Sequence, residues 1–229
     1  MRKITVAVDG FSSTGKSTIA KQLAKALGYI YVDTGAMYRA VTFYAMNHGF
    51  VSDERFDELA VVKSLPKIQL KFVLSGEAGQ SDITLNGENV ERKIRTLEVS
   101  RQVSKIATIK AVRDKLVAMQ QQMGKEKGIV MDGRDIGTVV FPDAELKIFM
   151  TASAAARAQR RYKELLDRGD KVTYGEVLKN VEERDAIDSN RKVSPLRKAD
   201  DAIVFDNSDM GLEEQFERIY NFTLRVINQ

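Results

Sequence analysis

Gly10-Phe11-Ser12-Ser13-Thr14-Gly15-Lys16-Ser17 has the spacing G-x-x-x-x-G-K-[ST] of a phosphate-binding loop. Glycines let backbone N–H groups close around phosphate oxygens, and a helix N-terminus adds positive dipole. Lys16 then reaches the terminal phosphates, and the Ser17 hydroxyl can ligate Mg2+. A glycine turn that binds nothing is the alternative. The flanks argue against it: residues 4–8 are a short β-branched run, and residues 17–27 carry apolar side chains at helical spacing. Strand, glycine turn and helix together imply a bound nucleoside triphosphate.

Other polar residues fall where such a ligand would need them. Asp33-Thr34-Gly35-Ala36-Met37-Tyr38-Arg39 follows a second β-rich run. In an open α/β sheet, ligands bind beyond the carboxyl ends of the strands, which brings Thr34 and Arg39 near the phosphate loop. A hydroxyl and a guanidinium there can hold a second anion; equally, Asp33 or Thr34 can cap a helix, leaving Arg39 on the surface. Asp132-Gly133-Arg134-Asp135 follows a third run. Asp132 stands where a carboxylate would hold Mg2+ through water, opposite Ser17, and Arg134 and Asp135 project into the same crevice. Asp-Gly is also an ordinary turn dipeptide.

Arg157, Arg160 and Arg161 lie at i, i+3 and i+4 of a helical segment. Like charges so spaced repel by a few tenths of a kcal/mol per pair, a cost that a polyphosphate reverses. A solvated face partly neutralised by Glu164 is the alternative, and Gly169 among charged residues suggests a mobile flap. Arg184, Asp188 and Arg191 form one helical stripe at i, i+4 and i+7, unless Arg184 and Asp188 are only a surface ion pair. Ser104 and Arg113 precede the third run and carry no message alone. His48, the only histidine, adjoins Gly49 and suits a helix end better than catalysis.

An α/β fold must position these groups. Five β-rich runs, 4–8, 29–32, 129–131, 146–150 and 202–205, alternate with helical segments. Near-continuous apolar strands separated by helices predict a parallel sheet covered on both faces. Gly28, Gly49, Gly124 and Gly169 mark expected helix ends. Residues 64–94 break the alternation: strand-like runs at 68–74 and 82–85, then Asn86-Gly87 before Glu88-Asn89-Val90, predict a small antiparallel insert.

The 229 residues suffice for one large domain, and 43% hydrophobic with 30% charged content reads as globular. The chain contains no cysteine, which excludes disulfides and thiolate metal sites. No apolar stretch approaches membrane-spanning length, and Met1-Arg2-Lys3 leads directly into the first strand, so a cytoplasmic address is expected. A net charge of +4 points to anionic ligands, nucleotides as much as nucleic acid.

Taken together, the sequence resembles bacterial cytidylate kinases, a family of nucleoside monophosphate kinases, over essentially its whole length. The matching stretches are residues 8–18 and 33–39, Ile94-Arg95-Thr96, residues 132–142 (Asp-Gly-Arg-Asp-Ile-Gly-Thr-Val-Val-Phe-Pro) and Glu183-Arg184-Asp185. The run at 132–142 is highly specific to that family. The resemblance implies a five-stranded P-loop kinase fold with an enlarged monophosphate-binding region at 36–103, the insert at about 64–94, a helical lid at 154–170, and core segments 1–35, 104–153 and 171–229. It implies transfer of the γ-phosphoryl group of MgATP to CMP or dCMP. ATP would meet Gly10 through Thr18 and Arg160, with Lys16, Arg134, Arg157 and Arg161 around the migrating group. Ser104, Arg113 and Asp135 would read cytosine; Arg39, Arg134 and Arg191 would hold the acceptor phosphate, with Thr34 and Tyr38 beside it; Arg184 and Asp188 would meet the ribose. Phe11 departs from the pattern, standing where the family usually has proline, and Ile187 and Ser189 flank Asp188 where some relatives carry charge.

A kinase for another monophosphate, UMP first, is the nearest rival. A GTP-dependent switch is disfavoured because the guanine-reading Asn-Lys-x-Asp pattern is missing. A nucleic-acid-binding ATPase is disfavoured because no basic run is interleaved with aromatics. The expected partners are therefore small-molecule substrates, without nucleic acid or membrane, and short loops favour a monomer.

Overall fold

The computed structural model describes residues 2–74 and 81–229. The central sheet contains β1 (Thr5–Gly10), β2 (Ile30–Asp33), β6 (Ile129–Gly133), β7 (Leu146–Thr151) and β8 (Ile203–Asp206) in the order β2-β6-β1-β7-β8. Every pairing in it is parallel. The five runs expected from sequence are these five strands, each extending one or two residues further toward its carboxyl end. Five of those seven extra residues, Asp9, Gly10, Asp33, Asp132 and Gly133, stand at or beside the phosphate loop and the carboxylates expected near it.

Alternating side chains explain the continuous apolar runs. Val6, Val8 and Val130 bury one face against Ile19 and Leu23 of α1 (Lys16–Leu27) and Ile219 and Ile227 of the C-terminal helix (Leu212–Ile227). Ala7, Ile129 and Met131 bury the other against Ile136, Val140 and Ala144. Both faces are covered, so alternation between polar and apolar residues never arises.

A second core lies beside the sheet. Helix α2 (Thr34–Asn47) packs with α3 (Glu58–Ser64), α4 (Leu97–Ile106) and α5 (Lys110–Met123) around Met37, Val41, Ile106, Ile109 and Leu116. The antiparallel insert joins this core through Ile83 and Leu85. Its strands are β3 (Leu70–Leu74), β4 (Ser81–Leu85) and β5 (Glu88–Asn89). Asn86 and Gly87 both have positive φ, 52° and 88°, as the tightest hairpin turn requires.

Residues 154–170, expected as a flap, form α6 (Ala154–Asp167) and a turn at Gly169, φ 85°. Helix α7 (Tyr174–Asn190) then starts on a capping box between Thr173 and Glu176 and packs along α6. The C-terminal helix is α8. The four expected helix-end glycines all lie at helix ends; Gly124 is there for space, since a Cβ would sit 2.2 Å from the Phe141 ring. His48 caps α2: its Nδ1 donates to the Tyr44 carbonyl at 2.8 Å and its ring stacks on Tyr44.

Candidate active site

A cleft of about 1540 Å³ opens at the carboxyl ends of the strands. Residues Ser12 to Thr18 line it with Asp33, Arg39, Asp132, Arg134, Arg160, Arg161 and Arg184. Its walls carry ten Lys and Arg side chains against five Asp and Glu, a balance that selects polyanions.

The phosphate loop takes the shape that its sequence calls for. Ser13 and Gly15 adopt left-handed φ values of 59° and 87° before α1 begins at Lys16. Gly10 is obligatory: its φ is 146°, and a Cβ there would lie 2.0 Å from the Met150 carbonyl oxygen on β7. Lys16 Nζ donates to the Phe11 carbonyl at 3.0 Å, so its ammonium is curled over the loop. Burial first, and then Arg134, push its pKa down to about 7. An anion in the loop removes that penalty.

Asp132 lies beside Ser17, as the spacing predicted. Ser17 Oγ donates to Asp132 Oδ2 at 2.8 Å, and the Tyr31 hydroxyl donates to Oδ1 at 2.9 Å. Burial and then the neighbouring Asp33 carboxylate raise Asp132 to about 6. Asp33 behaves oppositely. Burial alone would raise it, but Arg95, 2.7 Å away, holds it below its ordinary value. Asp33 also caps α2 by accepting from Ala36 N at 3.0 Å, and Thr34 Oγ1 donates to the Asp132 carbonyl at 2.7 Å. Both groups therefore do the local structural work that sequence left open, and Thr34 is not on the cleft wall.

Arg39 is buried, not a surface arginine: it lines the cleft and donates to the Ile94 carbonyl at 3.2 Å. Burial, then Arg184, Arg161 and Arg95, lower its pKa. Such a crowd of cations is electrostatically unfavourable until an anion enters it.

Behind Arg134 and Arg184 lies a buried polar cluster. Arg113 pairs with Asp135, with side chains 2% and 6% exposed. Arg191 approaches Asp135 at 3.5 Å, and Arg113 lies over the Tyr38 ring, 5.5 Å from its centroid. Burial pushes the Tyr38 hydroxyl up to about 12. Asp188 pairs with Arg134 at 2.9 Å and is buried, so the surface Arg184–Asp188 ion pair weighed from sequence does not form. Burial would raise Asp188, but Arg134, Arg184 and Arg191 hold it low. Arg184 donates instead to Ser100 Oγ at 3.1 Å, and burial, then Arg134, lower its pKa to about 10. Arg191, the last member of the expected helical stripe, is the C-cap of α7, one residue past the end of the helix. Ser104 is buried on α4, which packs against α2 and α7.

The three arginines of α6 point to three destinations, and Arg157 and Arg161 are buried where a solvated face was the alternative. Arg157 forms a two-pronged pair with Asp185 of α7, at 3.0 and 2.6 Å, and is not on the cleft wall. Arg160 donates to the side chain and carbonyl of Asn207, at 3.1 and 2.7 Å. Arg161 pairs with Glu164 and donates to the Arg95 carbonyl at 2.8 Å, which Arg168 also reaches at 2.8 Å.

Sequence reasoning overlooked several members. Asp9 Oδ1 and Oδ2 accept from the backbone N–H groups of Ile136 and Gly137, both at 2.7 Å, tying the 132–142 run to β1. Asn207 donates to the Thr14 carbonyl at 2.6 Å and to Gln215 at 2.8 Å, tying the phosphate loop to α6 and α8. Both follow from a rule already in use, since each lies at the carboxyl end of a strand. Tyr31 carried no such signal, and Arg95 stood only within the matching stretch Ile94-Arg95-Thr96.

The comparisons agree with this geometry. Residues 6–224 match the family model described as cytidylate kinase. A cytidylate kinase of Flavobacterium johnsoniae is 60% identical over 227 residues, 99% of each chain. One from Flavobacterium psychrophilum is 60% identical over 99% of this chain and 100% of its own. One from Phocaeicola vulgatus is 59% identical over 94% of each. With a phosphate loop, the 132–142 run and an arginine-lined cleft in one chain, the protein belongs to the cytidylate kinase family.

Proposed function

We propose that this protein transfers the γ-phosphoryl group of ATP to CMP or dCMP, giving ADP and CDP or dCDP. One observation carries the reading. A phosphate loop shares its cleft with Arg39, Arg134 and Arg184, so two phosphate-bearing ligands can meet in it. The names of the relatives supply the base.

An acceptor phosphate oxygen is already nucleophilic, so no general base is needed, and catalysis consists of alignment and charge stabilisation. The loop N–H groups and Lys16 take the donor phosphates, with Arg160 and Arg161 reaching in from α6. Arg39, Arg134 and Arg191 hold the acceptor phosphate, and Arg184 and Asp188 the ribose. Ser104, Arg113 and Asp135 read cytosine. A carboxylate accepts from the cytosine 4-amino group, whereas uracil presents a carbonyl oxygen there, leaving two acceptors facing each other. Asp135 accepts from Arg113 and Arg191, and a carboxylate has about four acceptor positions, so capacity remains.

Ser17 Oγ and the Asp132 carboxylate, 2.8 Å apart with Asp33 alongside, form an all-oxygen set that suits Mg2+, Ser17 directly and Asp132 through water. Bound there, the ion would offset charge on the phosphate oxygens. Closure of α6 and the insert over the cleft keeps water from the γ-phosphate. Loop, acceptor residues and lid all come from one chain, which supports a monomer acting on small molecules, and a cytoplasmic address is part of the same proposal. Among the described residues, no helix is long and apolar enough to cross a membrane.

ADP release, measured with AMP, CMP, dCMP, UMP or GMP as acceptor, tests the reading. CMP and dCMP should stimulate it most; no stimulation by CMP would sink it.

A further inference from the structure

Phe11 is the one aromatic side chain of the phosphate loop, at a position that the loop motif leaves open. Its ring centroid lies 5.1 Å from the Arg157 guanidinium carbon, with the cation over the ring face. The ring itself is fixed, because Phe149 of β7 meets it edge-on, with centroids 6.1 Å apart and planes at 80°. Phe149 is paired in register with Asp9 of β1, so the aromatic support rests on the central sheet.

Around that ring, Arg157 is unusually constrained. Nε donates to the Ala152 carbonyl at 2.9 Å, Nη1 to Ser12 O at 3.4 Å and Asp185 Oδ1 at 3.0 Å, and Nη2 to Asp185 Oδ2 at 2.6 Å. Four of its five N–H donors are engaged. The contact with Ser12 joins α6 to the phosphate loop, and the Asp185 pair joins α6 to α7. The guanidinium is thus a three-way joint that lies over an aromatic ring.

We propose that Phe11 is a positioning residue: it seats the Arg157 guanidinium, and through it holds the phosphate loop against α6 and α7 before nucleotide binds. This deepens the phosphotransfer reading of the cleft. The cation–ring contact is a face-on one, available to an aromatic side chain and lost with an aliphatic one of similar bulk. A loop held this way has less freedom to lose when it closes on phosphate, so the gain falls on the donor nucleotide and not on the acceptor.

The test uses the full chain with Phe11→Leu, Phe11→Tyr, Arg157→Lys and the double variant Phe11→Leu/Arg157→Lys. Phe11→Leu should lower kcat/KM for MgATP roughly 3- to 30-fold with KM for CMP unchanged. Phe11→Tyr should stay near wild type. The double variant should be no worse than Arg157→Lys alone, because both changes break one contact. Independent, multiplying effects, or a Phe11→Leu enzyme equal to wild type, would overturn the proposal.

A second readout needs no substrate. The Arg157 Nε–H resonance of the free protein should carry a ring-current shift that Phe11→Tyr retains and Phe11→Leu removes. An unchanged resonance in Phe11→Leu also overturns the proposal. Should Phe11→Leu not fold, Phe11→Met takes its place with the same expectations. A wild type without CMP-dependent turnover counts against the phosphotransfer reading, and the resonance then decides the role of Phe11 by itself.

Discussion

In the proposed function, base choice turns on Asp135. Its carboxylate faces two buried guanidinium groups, so removing its charge does more than remove a hydrogen bond to a base. Asp135→Asn leaves Arg113 and Arg191 short of a counter-ion, and breaking a buried pair costs about 3–5 kcal/mol. Loss of activity alone is therefore uninformative, whereas the ratio between acceptors is diagnostic. Asp135→Asn should narrow the CMP-to-UMP preference in kcat/KM by about 10- to 100-fold, the worth of one unpaired buried polar contact. An unchanged ratio would show that the base is read elsewhere. The residue types at this site were legible in the sequence, but their partners were not. Arg134 pairs with Asp188, 54 positions away, where sequence spacing offered Arg184 instead.

At the scale of elements, short polar tethers join strand ends to the segments that carry the site. Asp9 ties β1 to the turn at 136–140, where the Phe141 N–H reaches back five residues to the Ile136 carbonyl at 2.7 Å. Such wide turns often accompany functional sites. Sequence could not show this one, because its cause is a carboxylate over a hundred residues away.

Burial raises Asp9 from 3.8 to about 6, against the lowering effect of the two N–H bonds. Between those values the native state binds the proton more readily than the unfolded chain. The contribution of Asp9 to stability is therefore fully present below about pH 4 and lost as the pH rises through 6. The unfolding free energy of wild type minus that of Asp9→Asn should fall between about pH 4 and 6, by up to about 3 kcal/mol. A flat difference would contradict the assignment.

Asn207 is the other tether. Asn207→Ala strands the Thr14 carbonyl, Gln215 and Arg160 together. It should raise KM for ATP about tenfold, as loss of one buried hydrogen bond allows, while sparing KM for CMP. Equal changes for both substrates would mean a general loss of structure.

For the molecule as a whole, the sheet was legible because its strands are buried on both faces and so read as unbroken apolar runs. The insert was legible through Asn86-Gly87. Helix α3 was not, since its seven residues bury Val61 as their one large apolar side chain and give no periodicity to see. The residues proposed for the acceptor side were legible as a list, and only the packing of α2, α4 and α7 brings them together. The identity of the acceptor is the central claim. Equal concentrations of CMP and UMP, supplied together with MgATP and followed by 31P NMR, test it in a single tube. CDP should accumulate first, with UDP lagging well behind. UDP forming ahead of CDP, or ATP consumed with neither diphosphate formed, would contradict the account.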